Sequence, residues 1–545
     1  MTISKFDVIK MYKQKTALVI DDYPDMRSSI RRMLDNFGVV HVETAINGEE
    51  AIEKCEEQNF DIILADYNLG DAKNGQQILE ELRFKNLLKN TSLYMMITAE
   101  TTKDMVFGAL EYQPDDYLTK PFTQGVLQKR LDRLILEKES LYEINTAMDK
   151  LDYDRAIELC QDRIEHHDRY EHRCYRVMGN CYFKKHQYTQ SKKVYEDILE
   201  ERELDWATIG LGKSMMSLNE LDDAEKVFEK LINDGCLCLE VYDGLAEVQN
   251  RKGDAEAAQR TLQEAIDVSP NSIMRQDKLA QLCEDNHDWE QAEKSRKKVI
   301  RLGNNSVYET PEHHFKLARC INSEISHTHN KGRLKDAQEV LKKVKRKYKD
   351  HQNVTLQSDI IEANSYANAG DIEKSQEQVG SIQKQLNSTS NKSAQLMLDM
   401  ATTYNAVGDR DEAKKILKEL AVTYEDDEAI CESIDRLSDE PLSKRGKQKA
   451  VTLNQQGKEL FSSKEYGRAI QLFGQALKHY PNNIGLNLNL MLALVREMSA
   501  QGASSDQLEH CATAKEKLSH ITNDNPLYDR YNVLCEHYEK LSASV

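Results

Sequence analysis

Short apolar runs that each lead into a reactive side chain constrain the fold of the first quarter of this chain. The runs are Thr16–Ile20, Asp61–Ala65, Leu93–Ile97 and Tyr117–Thr119. Amphipathic segments lie between them, so each run is predicted to be a buried parallel strand. In an open doubly wound sheet, ligands bind outside the carboxyl ends of the strands. One edge of the sheet is therefore expected to gather five side chains, Asp21, Asp22, Asp66, Thr98 and Lys120.

The residue types at this edge indicate phosphoryl chemistry. Three carboxylates at close range repel one another unless a cation neutralises them. Mg²⁺ suits the purpose, because it prefers oxygen ligands and keeps waters that phosphate oxygens can replace. One carboxylate is then the nucleophile that forms an acyl phosphate. Asp66 is the candidate because it ends the central strand alone, and Thr98 and Lys120 offer a hydroxyl and a positive charge to the phosphoryl oxygens.

Four sequence motifs resemble the receiver domain of bacterial two-component response regulators. They are Ala17–Asp22 (ALVIDD), Ile62–Leu69 (IILADYNL), Met96–Ala99 (MITA) and Asp115–Phe122 (DDYLTKPF). The resemblance is specific and covers roughly residues 14–135. It implies a flavodoxin-like, doubly wound (βα)5 fold of the chemotaxis (CheY-like) type.

The resemblance assigns the phosphorylation site. It implies that Asp66 is the phosphoacceptor and that Mg²⁺ is held by Asp21, Asp22, Asp66 and the backbone carbonyl of Asn68. It also implies a sensor histidine kinase or phosphotransfer protein as the donor. The alternative is a degenerate receiver that keeps the fold without phosphotransfer. Such receivers usually lack an acidic residue, the lysine or the threonine, and this chain has all of them.

The resemblance further implies a switch and a timer. Thr98 and Tyr117 match the family's switch pair, and Asn68 and Glu100 match the positions that tune self-dephosphorylation. An Asn and Glu pair at these positions implies a phosphate lifetime of seconds to minutes. Leu69-Gly70 departs from the Met-Pro that is frequent in the family, which affects the shape of the loop after Asp66.

Length and charge limit the remaining function classes. A chain of 545 residues is too long for one core, so several domains or an extended array are expected. The formal net charge is −18, and both the receiver segment and the rest are acidic. DNA binding needs a strongly basic face, so no DNA partner is expected.

Cysteine usage and hydropathy favour a cytoplasmic protein. The 11 cysteines are scattered, and Cys236 and Cys238 form the only close pair, so free thiols in a reducing compartment are expected. No charged-then-apolar leader opens the chain, and no run approaches 18 apolar residues. A signal peptide and a membrane span are therefore not expected.

A repeat of about 34 residues begins near residue 137. In each copy a small residue is followed by another small residue 12 positions later, and in most copies by a large one four positions further on. Two helices that cross closely need small residues at the crossing, and a large residue can wedge between repeats. The leading small residues are Gly179, Gly212, Ala246, Ala280, Ala363, Ala401 and Gly457.

This pattern resembles the tetratricopeptide (TPR) repeat, most closely at Tyr466–Pro481. The resemblance implies that nine or ten repeats stack into an α-helical TPR superhelix whose concave groove binds peptides or partner proteins. Residues 124–150 hold no proline, and glycine only at Gly125, which predicts a nearly continuous helix from receiver to repeats.

These observations predict five segments. They are an N-terminal extension (1–14), the receiver (15–135), TPR-like repeats (136–424), a polar break or linker (425–449) and C-terminal TPR-like repeats (450–545).

Other polar clusters carry weaker signals. His166-His167-Asp168 and His313-His314 lack further ligands at metal spacing and are expected to be exposed helix residues. The basic stretch Lys342–Lys349 is expected to be a solvated helix face, with an acidic partner or RNA as the alternative.

The sequence predicts a response regulator whose output is protein binding. No helix-turn-helix, no cyclic-dinucleotide motif and no phosphate-binding P-loop follows the receiver. The chain is therefore expected to catalyse only its own phosphotransfer and dephosphorylation, with a protein target in the TPR groove. A homodimer through the receiver is also compatible with the resemblance. Two alternatives are a phosphate sink that competes for a shared kinase and a constitutive scaffold that uses the receiver for docking.

Overall fold

The computed structural model describes residues 10–70, 73–99, 113–236, 238–351, 353–389, 392–519, 521–523 and 525–542. The chain divides into two compact units, Met1–His313 and His314–Val545. Glu100, predicted to tune dephosphorylation, lies outside the described residues.

An α/β domain opens the first unit. Its strands are β1 (Thr16–Ile20), β2 (His41–Ala45), β3 (Ile62–Asp66), β4 (Leu93–Thr98) and β5 (Asp116–Thr119). Its described helices are α1 (Pro24–Phe37), α2 (Gly48–Glu57), α3 (Gly75–Phe84) and α4 (Gln124–Ser140). The strands form one parallel sheet in the order β2-β1-β3-β4-β5. The predicted doubly wound fold is confirmed, with β3 at its centre.

Apolar layers cover both faces of this sheet because successive strand residues point to opposite sides. Val19 and Leu64 belong to one buried cluster with Leu131 of α4. Leu18 and Ile63 belong to the other, which includes residues of α2 and α3. All five residues of β3 and all six of β4 are buried, so the strand that ends at Asp66 lies in the enclosed middle of the sheet.

The remainder of the first unit is helical. Its helices are α5 (Tyr142–Asp149), α6 (Tyr153–Glu165), α7 (Glu171–Lys184), α8 (Tyr188–Glu201), α9 (Asp205–Ser217), α10 (Leu221–Asn233), α11 (Leu239–Lys252), α12 (Ala255–Val268), α13 (Ile273–Asp285) and α14 (Trp289–Gly303). The predicted junction helix is interrupted once, at Leu141, where φ and ψ of −97° and 16° leave the helical region. Leu141 is buried against the first repeat helices.

The predicted small-residue pattern corresponds to the helix crossings. Ser191 Oγ donates to the carbonyl of Gly179, 12 residues earlier, at 2.9 Å. A Cβ on Gly179 would lie 2.5 Å from the Tyr195 ring, and one on Gly212 would lie 2.6 Å from the Phe228 ring. The large residue 16 positions after each glycine therefore fills the space that the missing side chain leaves.

The second unit is all-helical. Helix α15 (Pro311–Thr328) contains the boundary between the units and is followed by a short 3₁₀ turn (Lys331–Arg333). The remaining helices are α16 (Leu334–Lys347), α17 (Val354–Asn368), α18 (Ile372–Ser388), α19 (Ala394–Ala406), α20 (Arg410–Thr423), α21 (Glu428–Leu437), α22 (Lys444–Ser462), α23 (Tyr466–His479), α24 (Ile484–Gln501), α25 (Ser505–Lys517) and α26 (Tyr528–Ser542). The crossing recurs here, because Ser375 Oγ donates to the carbonyl of Ala363 at 2.7 Å.

The segment predicted as a polar break, residues 425–449, contains helix α21 and the start of α22. Ile434 of α21 is fully buried in the same apolar cluster as α19 and α20. The connection to α22 is held by Asp435, which accepts hydrogen bonds from the backbone of Leu442 and from the backbone and hydroxyl of Ser443. This stretch thus forms an ordered connection between two helices.

The basic stretch in α16 is mostly exposed, as predicted, except that Lys345 pairs with Asp359 at 2.6 Å. Within the described part of the chain, no helix has the length and apolar character needed to cross a membrane.

The glycines of α22 and α23 give a matched test of the crossing. Gly457 faces the buried Phe473 ring, whereas a Cβ on Gly474 would meet no atom within 4 Å. We expect Gly457→Ala to destabilise this part of the array by about 1–3 kcal/mol through overpacking. Gly474→Ala should stabilise it by about 0.5–1 kcal/mol, because alanine loses less entropy in a helix.

The measurement is the free energy of opening from native-state hydrogen exchange of α23 amides, since long helical arrays do not unfold in one step. Equal effects of the two substitutions would show that Gly457 is not needed at the crossing.

Candidate functional site

The parallel register brings the ends of four strands to one edge of the sheet. Ile20 pairs with Ala65, and Asp66 pairs with Ile97, so Asp21, Asp66 and Thr98 follow one another across neighbouring strands. The Lys120 amide donates to the Thr98 carbonyl at 2.7 Å, which continues this alignment beyond β5. The peptide bond between Lys120 and Pro121 is cis.

Lys120 connects the two buried carboxylates. Its Nζ lies 2.8 Å from Asp21 Oδ2 and 2.8 Å from Asp66 Oδ2. Asp21 and Asp66 are both buried, and Thr98 on the neighbouring strand is buried as well. The ammonium group thus occupies the position from which it can contact any group attached to Asp66.

Three carboxylates form a group that could hold a metal ion. One oxygen from each of Asp21, Asp22 and Asp66 lies within 4.8 Å of the others. Among the described residues, these three side chains are the only group of three or more possible metal ligands. Asp22 is exposed, so the cluster opens to solvent on one side. An all-oxygen donor set with an open side fits Mg²⁺, which retains waters that phosphate oxygens can replace.

The electrostatics of the site are those of a cation site. Burial raises the pKa of Asp66 above its usual range, and the neighbouring Asp21 raises it further. The contact with Lys120 and a hydrogen bond from the Asn68 amide lower the pKa without cancelling this effect. Burial alone would lower the pKa of Lys120, but its hydrogen bonds to Asp21 and Asp66 outweigh that and raise it. Lys120 stays charged, and the carboxylates still carry excess negative charge that a divalent cation would stabilise.

The conformation of the loop after β3 accounts for a leucine at position 69 and a glycine at position 70. Leu69 is buried in the apolar cluster beneath the sheet, and Asn68 is exposed. Gly70 has a φ of +80°, a left-handed conformation that favours glycine. Asn68 Oδ1 accepts a hydrogen bond from the Gly70 amide at 3.3 Å. Gly75 begins α3 directly against the Asp66 carbonyl, so a side chain at position 75 would displace the loop.

Tyr117, predicted to be the switch residue, is half-buried on β5. Its carbonyl accepts a hydrogen bond from Arg130 of α4 at 3.1 Å. Arg130 and Arg133 also bind the Asp116 carboxylate, at 2.7 and 2.9 Å. These two arginines join α4 to β5.

The histidines behave differently at the two predicted positions. His166 and His167 are exposed, as expected, but they lie in the turn after α6 and not in a helix. His313 and His314 lie in a helix, but the prediction that they are exposed was wrong. They are half-buried, because the His313 ring contacts the Tyr308 carbonyl at 2.9 Å and the His314 ring packs against Tyr348. Within the described chain, neither pair belongs to a group of metal ligands.

Comparison with known proteins identifies the N-terminal part. Residues 17–132 match the response regulator receiver domain family. The chain is 28% identical over 122 residues to chemotaxis protein CheY-3 of Vibrio cholerae, which covers 22% of this chain and 92% of that protein. It is 29% identical over 117 residues to chemotaxis protein CheY of Pseudomonas aeruginosa, which covers 22% and 93%.

Among solved structures, Vibrio cholerae CheY4 matches with 28% identity and a TM-score of 0.21, covering 22% of this chain and 97% of that one. By the family match, the chain carries an N-terminal CheY-like receiver domain of response regulators.

The raised pKa of Asp66 predicts a stability effect. Above its raised pKa the buried carboxylate is charged at a cost, whereas below the usual carboxyl range it is protonated in both the folded and the unfolded chain. In EDTA at pH 8, Asp66→Asn should raise the thermal midpoint of the receiver by about 1–3 °C. The advantage should shrink as the pH falls through the raised pKa of Asp66 toward the usual carboxyl pKa of about 4.

The control is Asp25→Asn, which removes an exposed carboxylate at the start of α1 and should give no increase. An advantage of Asp66→Asn that stays constant from pH 8 down to the usual carboxyl pKa of about 4 would contradict the role of the charge.

Proposed function

We propose that this chain is a response regulator of a two-component phosphorelay, phosphorylated on Asp66 by a sensor histidine kinase or phosphotransfer protein. The observation that supports this best is the Lys120 ammonium 2.8 Å from both Asp21 and Asp66, at the edge where the exposed Asp22 completes a cation site. A merely structural ion pair would not need the second and third carboxylates.

In the proposed reaction an Asp66 oxygen attacks the phosphorus of a phosphohistidine. The new O–P bond forms as the N–P bond breaks, and the departing imidazole takes up a proton. Asp21, Asp22, Asp66 and the Asn68 carbonyl would hold Mg²⁺, whose charge offsets that of the phosphoryl oxygens. Dephosphorylation by water returns the carboxylate, so the domain catalyses only its own turnover.

In this proposal, Lys120 and Thr98 contact the phosphoryl group directly. Lys120 is already within hydrogen-bonding distance of Asp66, and it can follow a phosphoryl oxygen as a point charge. We propose that the Thr98 hydroxyl also moves toward the phosphoryl group. The space it leaves lets Tyr117 rotate inward, which changes the surface next to β5.

The proposed output is protein binding by TPR-like helical repeats. Support comes from the glycine–aromatic crossings, in which Tyr195 and Phe228 fill the space beside Gly179 and Gly212. We propose receiver limits of residues 15–135 and repeats on either side of the ordered 425–449 segment. A cytoplasmic location is part of this proposal, because phosphodonors are made there.

The first test is identification of the phosphoacceptor. Incubation of the full chain with a small phosphodonor and Mg²⁺ should label it with one phosphate, and Asp66→Asn should lower the labelling at least about 100-fold, because the nucleophile is absent. Asp25→Asn is the matched control and should be labelled like the wild type. Undiminished labelling of Asp66→Asn would refute the assignment.

The second test concerns the output. A target captured from the native cell should differ in affinity for phosphorylated and unphosphorylated chain by about 5- to 150-fold, the usual range of coupling between two sites. Tyr117→Ala should reduce this ratio while Asp66 is still labelled. Equal affinities would remove the coupled output and favour the phosphate sink, in which only kinase competition is seen, or the scaffold, in which neither is seen.

A further inference from the structure

One helix of the receiver buries polar residues on a second face. Helix α3 packs Ile78, Leu79 and Leu82 against the sheet, as an amphipathic helix of an α/β domain should. Gln76 and Glu80 are nevertheless only 7% and 5% exposed. They are four residues apart and therefore share one side of the helix, next to the sheet-facing side.

The residues that cover this side belong to the helical repeats of the same unit. We name the covered side the α3 outer face (Gln76, Gln77, Glu80 and Phe84) and the covering stretch the docking segment (residues 271–308). Gln77 Nε2 donates to the Asn304 carbonyl at 3.4 Å, and the Phe84 ring meets the edge of Tyr308 at a centroid distance of 6.3 Å.

Electrostatics and shape agree with this contact. The pKa of Tyr308 is raised, first by burial and then by the charge of Glu80. A cavity of about 330 Å³ lies between the two surfaces. Its walls come from the loop after β3 and from the docking segment, and they include Tyr67, Asn68, Gly70, Asn271, Ile273 and Leu302.

The same loop reaches the phosphorylation site. The Asn68 amide donates to the Asp66 carboxylate. The Tyr67 hydroxyl donates to Gln76 Oε1 at 3.5 Å, and Gln76 Nε2 donates to Glu80 Oε1 at 3.1 Å. A continuous set of contacts therefore runs from the candidate phosphoacceptor to the α3 outer face.

The contact is small enough to be reversible. The hydrogen bond from Gln77 to Asn304 is long, the cavity leaves part of the surfaces apart, and Phe84 remains 63% exposed beside Tyr308. A switch that supplies about 1–3 kcal/mol can open such an interface, whereas it could not separate a packed core.

The receiver also holds the beginning of the repeats. The Asp149 carboxylate of α5 accepts hydrogen bonds from the Asn90 amide at 2.6 Å and from the Thr91 hydroxyl at 3.1 Å. The repeats between residues 149 and 304 are thus fixed to the receiver at both ends. Opening the distant contact would free one end and leave the other attached.

We propose that the docking segment is an intramolecular binding site for the α3 outer face, and that phosphorylation of Asp66 releases it. This inference rests on the proposed function. A phosphoryl group adds negative charge next to a loop that abuts the buried Glu80. The added charge favours the undocked state.

The test is hydrogen exchange of the full chain with and without beryllofluoride and Mg²⁺, a stable mimic of the phosphorylated state. Peptides across residues 62–70 report binding, and peptides across 299–310 report docking. We expect the docking peptides to exchange at least about threefold faster when the site is filled. Unchanged or slower exchange in a chain that has bound beryllofluoride would overturn the release.

Variants test docking without the mimic. Phe84→Ala and Tyr308→Ala should each speed hydrogen exchange across residues 299–310. The double variant should exchange at about the same rate as either single variant, because both substitutions remove the same contact. Val40→Ala truncates a side chain that is 76% exposed elsewhere on the receiver and should have no effect. Unaltered exchange in Phe84→Ala would overturn the docking site.

Reciprocity separates this inference from the proposed function. If binding of beryllofluoride at Asp66 weakens docking, then loss of docking must raise the affinity for beryllofluoride by the same factor. Phe84→Ala should therefore bind beryllofluoride about 3- to 10-fold more tightly than wild type. Equal affinity would overturn the coupling while Asp66 labelling stands. Failure of the wild type to bind or to be labelled would refute the phosphorelay and the release together, whereas the docking contact would still be judged by the exchange of the variants.

Discussion

The Lys120 ammonium between Asp21 and Asp66 is the interaction on which the N-terminal domain depends. Burying two carboxylates at the end of a sheet is unfavourable unless a positive charge lies between them. Lys120 supplies that charge from the end of β5, so β1, β3 and β5 must end in register for the site to exist. Since one ammonium does not balance three carboxylates, the site retains an attraction for a divalent cation. The fold thus leaves excess negative charge at the end of the sheet, which a divalent cation would stabilise.

The helical repeats solve a different problem by close packing. Each pair of helices must approach closely, and small residues lie at the described crossings. The glycines at 179 and 212 make room for Tyr195 and Phe228, which are almost fully buried. Gly210 and Gly244, on the following helices, meet the same two rings, so one aromatic side chain joins three consecutive helices. This sharing makes each repeat depend on its neighbours.

The sequence predicted the parts of the structure that rest on local pattern. Continuous apolar runs identified four of the five strands, but β2 was not among them because only Val42 and Ala45 of its five residues are buried. The polar stretch from residue 425 was expected to be a break, yet a helix with one fully buried face residue, Ile434, suffices to dock it on its neighbours. Composition alone could not reveal this, since charged residues on the exposed side of a helix look the same as those of a linker.

Contacts between distant segments were beyond prediction for a related reason. Nothing in the sequence near Gln76 and Glu80 indicates Tyr308, more than 200 residues later in the chain. Only the three-dimensional path of the repeats brings the docking segment back to the receiver. This contact joins the carboxylate-bearing domain to the packed helical array. The carboxylate site borders the loop after β3, and the helical array with shared aromatic packing contacts helix α3, which follows that loop. If the contact opens, the energy available is limited to the difference in phosphoryl binding between the two states, which suffices for a small interface and not for a large one. The proposed release by phosphorylation therefore depends on the modest size of the α3 contact.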